Sequence, residues 1–393
     1  MLIKEYLQAI KNTLKRELKR LGKNPIYFIG SVVVMSFSFV FFLSLFEEGQ
    51  PLNMPVAVVD HDNSSLSRQF IRNANALQHV SVEMKCANYT EARRAMQAGK
   101  VYAIIHIPEG FAAKMYSARQ PEVNYYINDS YLVAGSLILK DLSYIGEITN
   151  AGIKQKTLQA KGVDNNQIMS TIQPIVMDTH LVANPWVNYG AYLLNVLFPG
   201  ILEIMILMLT IYSIGSELKQ RTSAKWLLTA NNSITAALTG KLIPQTIVFT
   251  ILGMISNILL YKHMGYPLHS SIGWMFLVTF IYVLAYQAIG ILIIGITPVL
   301  RDGVTIAAVF GLVGVTMAGA TFPVEQLVYQ IQIFSHLFPI RHFFLIYVNQ
   351  ALNGLSLSYS IYNIIALIGF LFLPLIILKR LKNAAIKQNF PIK

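Results

Sequence analysis

Between two long apolar runs, the stretch from Gly215 to Pro244 holds a carboxylate (Glu217), a guanidinium (Arg221) beside a hydroxyl (Thr222), an indole (Trp226) beside Leu227, Ser233, and a Gly240-Lys241 pair. Charge-assisted hydrogen bonds from Glu217 and Arg221, with Trp226 as an aromatic anchor, are the contacts by which one protein grips another. The competing reading is a loop resting on lipid headgroups, where Trp, Lys and Arg are also favoured. Nucleotide chemistry is not expected, because Gly240-Lys241 runs into Leu242 without the upstream glycine of a Gly-x-x-x-x-Gly-Lys-Ser/Thr loop. No such loop occurs elsewhere in the sequence, so the chain is expected to be neither an ATPase by that route nor the holder of a cofactor.

Other reactive groups are scattered. Glu203 falls inside an apolar run, where a carboxylate costs about 2.5 to 3.5 kcal/mol on insertion scales. It marks a substrate or proton path, or it is a neutral acid bonded to a neighbouring span through Gln245, Asn257 or Gln287; both readings stand. His336, Arg341 and His342 lack a Cys or carboxylate at metal-ligand spacing, so a headgroup contact or a helix-end cap is expected rather than a metal. Asp60-His61-Asp62 continues into Asn63-Ser64-Ser65, the composition of a strand-to-helix turn with N-caps. The single cysteine, Cys86, excludes an intrachain disulfide and has no legible role.

The elements that must carry these groups belong to a membrane. The chain is 54% apolar and 13% charged, outside the soluble range. A net charge of +12 sits beside apolar runs rather than among aromatics on a polar face, which argues against nucleic acid. Runs of spanning length occur at Ile26 to Phe46, Tyr189 to Ile214, Leu242 to Tyr261, Ile272 to Ile296, Val304 to Phe322 and Tyr359 to Leu378. The first, with no cleavage site after Phe46, is a retained anchor. Six spans put both termini on one side. The short loops on that side hold 17 Lys and Arg against four acids, which places the termini in the cytosol.

Residues 1–24 place Leu2, Ile3, Leu7, Ile10, Leu14, Leu18 and Leu21 at helical spacing among seven basic residues, an amphipathic helix for an anionic leaflet. The first span covers 25–46. Residues 47–188 read as an extracytoplasmic α/β domain. It has strands at Pro55 to Asp60, Val80 to Cys86, Val101 to Ile107 and Glu122 to Ile127, helices at Ser64 to Leu77 and Thr90 to Gly99 (opened by a Thr cap), a long helix from Ser130 to about Val163, and a return linker over 164–188. Residues 189–378 hold the remaining spans, with the polar segment 215–241 on the cytosolic side. On the outer side, 323–354 form a re-entrant segment in which Pro323, Pro339 and Arg341 interrupt apolar sequence, tolerable at membrane depth only where shielded. Residues 379–393 are a basic cytosolic tail. The fold class is a polytopic α-helical membrane protein with six transmembrane helices and an inserted α/β domain.

The order Glu217, Arg221-Thr222, Trp226-Leu227-Leu228, Ser233, Gly240-Lys241, Pro244 resembles the cytosolic coupling segment of ABC-2 type permeases. Pro323, Pro339, Ile340 and Gly354 follow the order of that family's outer turn, and Ala98 to Phe111 resembles the outer domain of its drug-export-like members. The family loop commonly has Gly where Arg221 stands and Thr-Pro after the two leucines. The resemblance implies a permease that docks a separate ABC ATPase subunit, which binds the ATP. Glu217, Arg221, Thr222, Trp226, Leu227, Gly240 and Lys241 would be its coupling residues. It further implies pairing with a second permease in a bacterial inner membrane and export of an amphipathic or lipophilic drug-like molecule. The outer domain would meet a periplasmic adaptor. The alternatives are a sodium or ion exporter using Glu203, and a non-transporting anchor whose outer domain senses a ligand or organises an envelope assembly.

Overall fold

In the computed structural model, which describes residues 3–117, 119–176 and 178–387, the first helix, α1 (Ile3–Leu21), has two faces with different uses. Ala9, Thr13 and Glu17, spaced by four, are buried, whereas Ile3, Leu7 and Leu18 remain exposed. The helix thus packs by a narrow small-and-polar stripe, flanked by Ile10 and Leu21, and keeps Ile3, Leu7 and Leu18 outward, where a lipid surface would cover them. Asn24 then caps α2 (Pro25–Leu45), with Pro25 at its first turn, where the missing N–H costs nothing.

The chain folds as two compact units, one of Met1–Gly49 with Leu181–Lys393 and one of Gln50–His180. The second unit opens with β1 (Met54–Asp60), then α3 (Ser65–Asn75), β2 (Val80–Lys85), α4 (Tyr89–Gln97), β3 (Ala103–Ile107), α5 (Phe111–Tyr116), β4 (Asn124–Ile127), α6 (Leu132–Ala160) and α7 (Asn165–Ile172). The sheet order is β2-β1-β3-β4, parallel except for the antiparallel edge strand β4. Alternation sends Ala57, Val59 and Ile104 into a core with Cys86, Ala92, Ala95 and Val101. The Asp60 to Ser64 turn is structural: Asp60 accepts from the backbone N–H of Asp62 and Asn63, and Ser64 and Ser67 form a reciprocal capping box. Two details differ from expectation. Asn88, not Thr90, caps α4, because its side chain reaches the Glu91 N–H. The expected linker also contains α7. Cys86 is a buried core thiol.

The membrane unit continues with α8 (Tyr189–Lys219), α9 (Ser223–Thr229), α10 (Ile234–His263), α11 (Ile272–Ile296), α12 (Leu300–Met317), α13 (Tyr329–Ser335), α14 (Pro339–Leu352) and α15 (Ile361–Lys387). With α2, the helices α8, α10, α11, α12 and α15 are six that are long and apolar enough to cross a membrane. The chain is a polytopic helical membrane protein with an inserted α/β unit. Helices α8 and α11 are its most buried spans, while α2, α12 and α15 keep most of their surface outward. Glycine sets how closely helices approach: a Cβ at Gly311 would stand 2.5 Å from Ile204, and one at Gly200 2.6 Å from Val315, so α8 and α12 meet nearly backbone to backbone. Leu2 and residues 388–393 of the expected basic tail lie outside the described residues.

Candidate functional site

The polar stretch is almost wholly helical: the end of α8, the short α9, and the start of α10. Arg221 ends α8 in the left-handed region at φ 55, with its N–H on the Leu218 carbonyl at 3.1 Å. That is the helix-ending conformation glycine adopts without strain. It gives a physical reason for the Gly of the family loop that Arg221 replaces.

Around this end five charged side chains converge. The Glu217 carboxylate, fully buried, receives a two-pronged contact from Arg16, Nη1 to Oε1 at 2.6 Å and Nη2 to Oε2 at 2.8 Å. Arg20 also donates to Glu217 and, at 2.6 Å, to the Ser216 hydroxyl. Lys241, buried on α10, bridges Glu17 Oε2 at 2.7 Å and Glu217 Oε1 at 3.0 Å. Ser213 donates to Glu17, and Thr222 to Glu217. Two carboxylates are thus offset by three cations, and each is bonded on both oxygens. Burial opposes the charge on Arg16, but its hydrogen bonds and Coulombic contact with Glu217 outweigh that and hold it above its ordinary value.

Helix α1 reaches this cluster through Gly240. A Cβ there would lie 2.6 Å from the Ile10 carbonyl oxygen and 2.7 Å from the Thr13 Cβ, so only hydrogen fits between α1 and α10. Trp226 completes the site from above. Its indole is fully buried, donates to the Ala237 carbonyl at 3.3 Å, and has the Lys241 ammonium 5.2 Å from the ring centroid. Ser223 donates to the Ala385 carbonyl, tying α9 to α15.

The structure therefore brings Glu217, Thr222, Trp226, Leu227, Gly240 and Lys241 together, but facing inward. Trp226 and Leu227 are packed inside this chain and present no anchor to a partner, which corrects the expectation of direct contact through them. What the α9 end offers outward is Lys219, Arg221, Lys225 and Leu228, the last 63% exposed. Arg16, Glu17 and Arg20 are the functional candidates that reading the sequence missed. Their signal was an acid, Glu17, amid the basic residues of the helix and in the four-residue series Ala9, Thr13, Glu17.

Glu203 is fully buried where α8, α11 and α12 meet. Its partner is the Tyr282 hydroxyl, which donates to Oε2 at 2.9 Å, rather than Gln245, Asn257 or Gln287. Its other oxygen lies where a Cβ at Gly314 would come within 3.0 Å. In residues 323–354, Pro323 precedes a single tight turn and Pro339 opens α14, which meets α13 at an 89° bend. Arg341 is 3% exposed, so it meets no headgroup. It donates to the Ala318 carbonyl at 3.0 Å, capping α12, and pairs with Glu325. His342 is buried likewise, between the Asn363 side chain and the His336 carbonyl. No group of three metal-ligating side chains occurs among the described residues.

Comparison with known proteins agrees with this architecture. A family model described as ABC-2 family transporter protein matches residues 26–378. The chain is similar to a protein of Escherichia coli strain K12 named Probable multidrug ABC transporter permease YbhR, 22% identical over 337 residues, which span 84% of this chain and 86% of that one. The protein of the same name in Escherichia coli O157:H7 matches to the same extent.

Proposed function

We propose, because this chain belongs to the ABC-2 transporter family, that it is the permease subunit of an exporter driven from the cytosol by a separate ABC ATPase. The observation that carries the reading is the Glu17, Lys241 and Glu217 cluster, which fastens α1, α8 and α10 into one body directly beneath α9. A push on α9 is then not absorbed by a loose loop but passes to three helices at once. The exposed basic residues at the α8–α9 junction, Lys219, Arg221 and Lys225, with Leu228, suit an acidic groove on the partner.

In this reading the termini and α9 are cytosolic, since the short loops at that end carry the excess of Lys and Arg. The α/β unit, inserted after the first span, is outside, in the periplasm of a cell with two membranes. There it is free to meet an adaptor. Two copies of this chain, or this chain and a related permease, enclose the pathway in the inner membrane. The cargo is an amphipathic or lipophilic small molecule, the class the relative's name suggests. A pathway for sodium gains no support from Glu203, a single acid packed against Tyr282.

Co-purification of the permease with its cognate ATPase tests the proposal. Reversing the α9 face by Arg221→Glu with Lys225→Glu should abolish the complex while the permease still elutes as a folded species. Full retention of the complex by that double variant would refute docking at α9.

A further inference from the structure

Where the start of α2 passes α8 and α10, the protein forms a half-open cavity of about 210 Å³. Its lining includes Leu209, Val248 and Phe249, and no charged side chain contributes to it. One of its polar lining residues is buried without partners: Gln245, 3% exposed, has neither its amide nitrogen nor its oxygen bonded, while Tyr27, 5% exposed, turns its hydroxyl toward Ser213. Each such orphaned group costs about 1 to 3 kcal/mol, so the two on the Gln245 amide call for a ligand.

We infer that this cavity binds the polar head of an uncharged amphiphile, an alcohol or amide carrying a hydrocarbon tail. The donor set dictates the class. The Gln245 amide offers both donors and an acceptor, which matches a head that both donates and accepts. A charged head would find no counter-ion, since Lys241, Glu17 and Glu217 are already bonded to one another. The volume is below the roughly 300 Å³ of a drug-sized site, so only the head and first carbons enter. The tail continues over Phe28, which lines the cavity and is itself 60% exposed. Bound there, the molecule sits between α2 and the α8–α10 pair. The inference concerns binding alone and does not depend on the ATPase.

Photolabelling of the full-length permease in lipid nanodiscs with a diazirine-bearing octanol, followed by mass mapping, tests it. Saturable adducts are expected within 27–32 or at Val248 and Phe249, displaced by 1-octanol and not by octanoate. Gln245→Leu should weaken labelling about fivefold, the size of one neutral hydrogen bond. Tyr27→Phe, which removes only the hydroxyl, provides a second variant, and the thermal midpoint of each reports folding. Labelling that does not saturate, that ignores both variants, or that octanoate displaces equally well overturns the inference. So does a Gln245→Leu protein more stable than wild type with no labelling of either, which would mark a hydrated cavity.

Discussion

Arg16 and Glu217 grip each other through two parallel hydrogen bonds although 201 positions separate them in the chain. The N-terminal helix is thereby bound to the ends of α8 and α10, whatever surface its exposed Ile3, Leu7 and Leu18 meet.

Lys241 should be the most sensitive residue of that end. Lys241→Met leaves Glu17 and Glu217 buried with one cation fewer, and removing one partner from a buried ionic group costs about 3 to 5 kcal/mol. A marked fall in the detergent-solubilised thermal midpoint is expected. The exposed Lys225→Met should change it little, and equal midpoints for the two variants would contradict the cluster.

Gly240→Leu drives a side chain into the Ile10 backbone and Thr13. Because backbone cannot yield as a flexible side-chain tip can, α1 must separate from α10. Limited proteolysis should then cut within residues 3–21 at rates well above wild type, and unchanged protection of α1 would contradict the close packing.

Arg221 holds a left-handed conformation that costs a side-chain-bearing residue about 1 to 2 kcal/mol. Arg221→Gly relieves it, while Arg221→Ala keeps the strain and loses the same charge. The glycine variant should therefore unfold later than the alanine variant, by about 1 kcal/mol. The reverse order would mean that the backbone there is not left-handed.

Glu325 supplies an acid dependence. The N–H of its own backbone, and then the Arg341 charge and hydrogen bond, hold its carboxyl below the ordinary 4.5, against a smaller opposing effect of burial. A depressed acid binds its proton more readily unfolded than folded, so its contribution is present above about pH 4.5 and is lost as pH falls through its folded value. Glu325→Gln should flatten part of the loss of thermal stability on acidification below that pH. Parallel profiles for the two proteins would remove Glu325 from the account.

The spans were legible because burial in lipid requires unbroken apolar runs, and the strands of the α/β unit because their alternation and caps are local. The use of the coupling residues was not. Glu217, Trp226 and Lys241 stand out as polar groups between spans, but whether they face a partner or their own chain depends on Arg16, Glu17 and Arg20, brought in from the far N-terminus. Helix α1 has a second face for a related reason. Its leucines are the conspicuous stripe, yet Ala9, Thr13 and Glu17 are the residues it buries fully, because a close approach at Gly240 selects small residues and the cluster selects the acid. Arg341 reads as either a headgroup contact or a helix-end cap, and the fold decides for the cap by setting the end of α12 beside it.

The most direct measurement places a photo-crosslinking amino acid at Leu228, exposed on α9, and at Trp226, buried two residues earlier, in cells expressing permease and ATPase together. The account predicts a permease–ATPase adduct from position 228 and none from 226. Absence of an ATPase adduct from 228 in cells where the assembled complex can be isolated would contradict it.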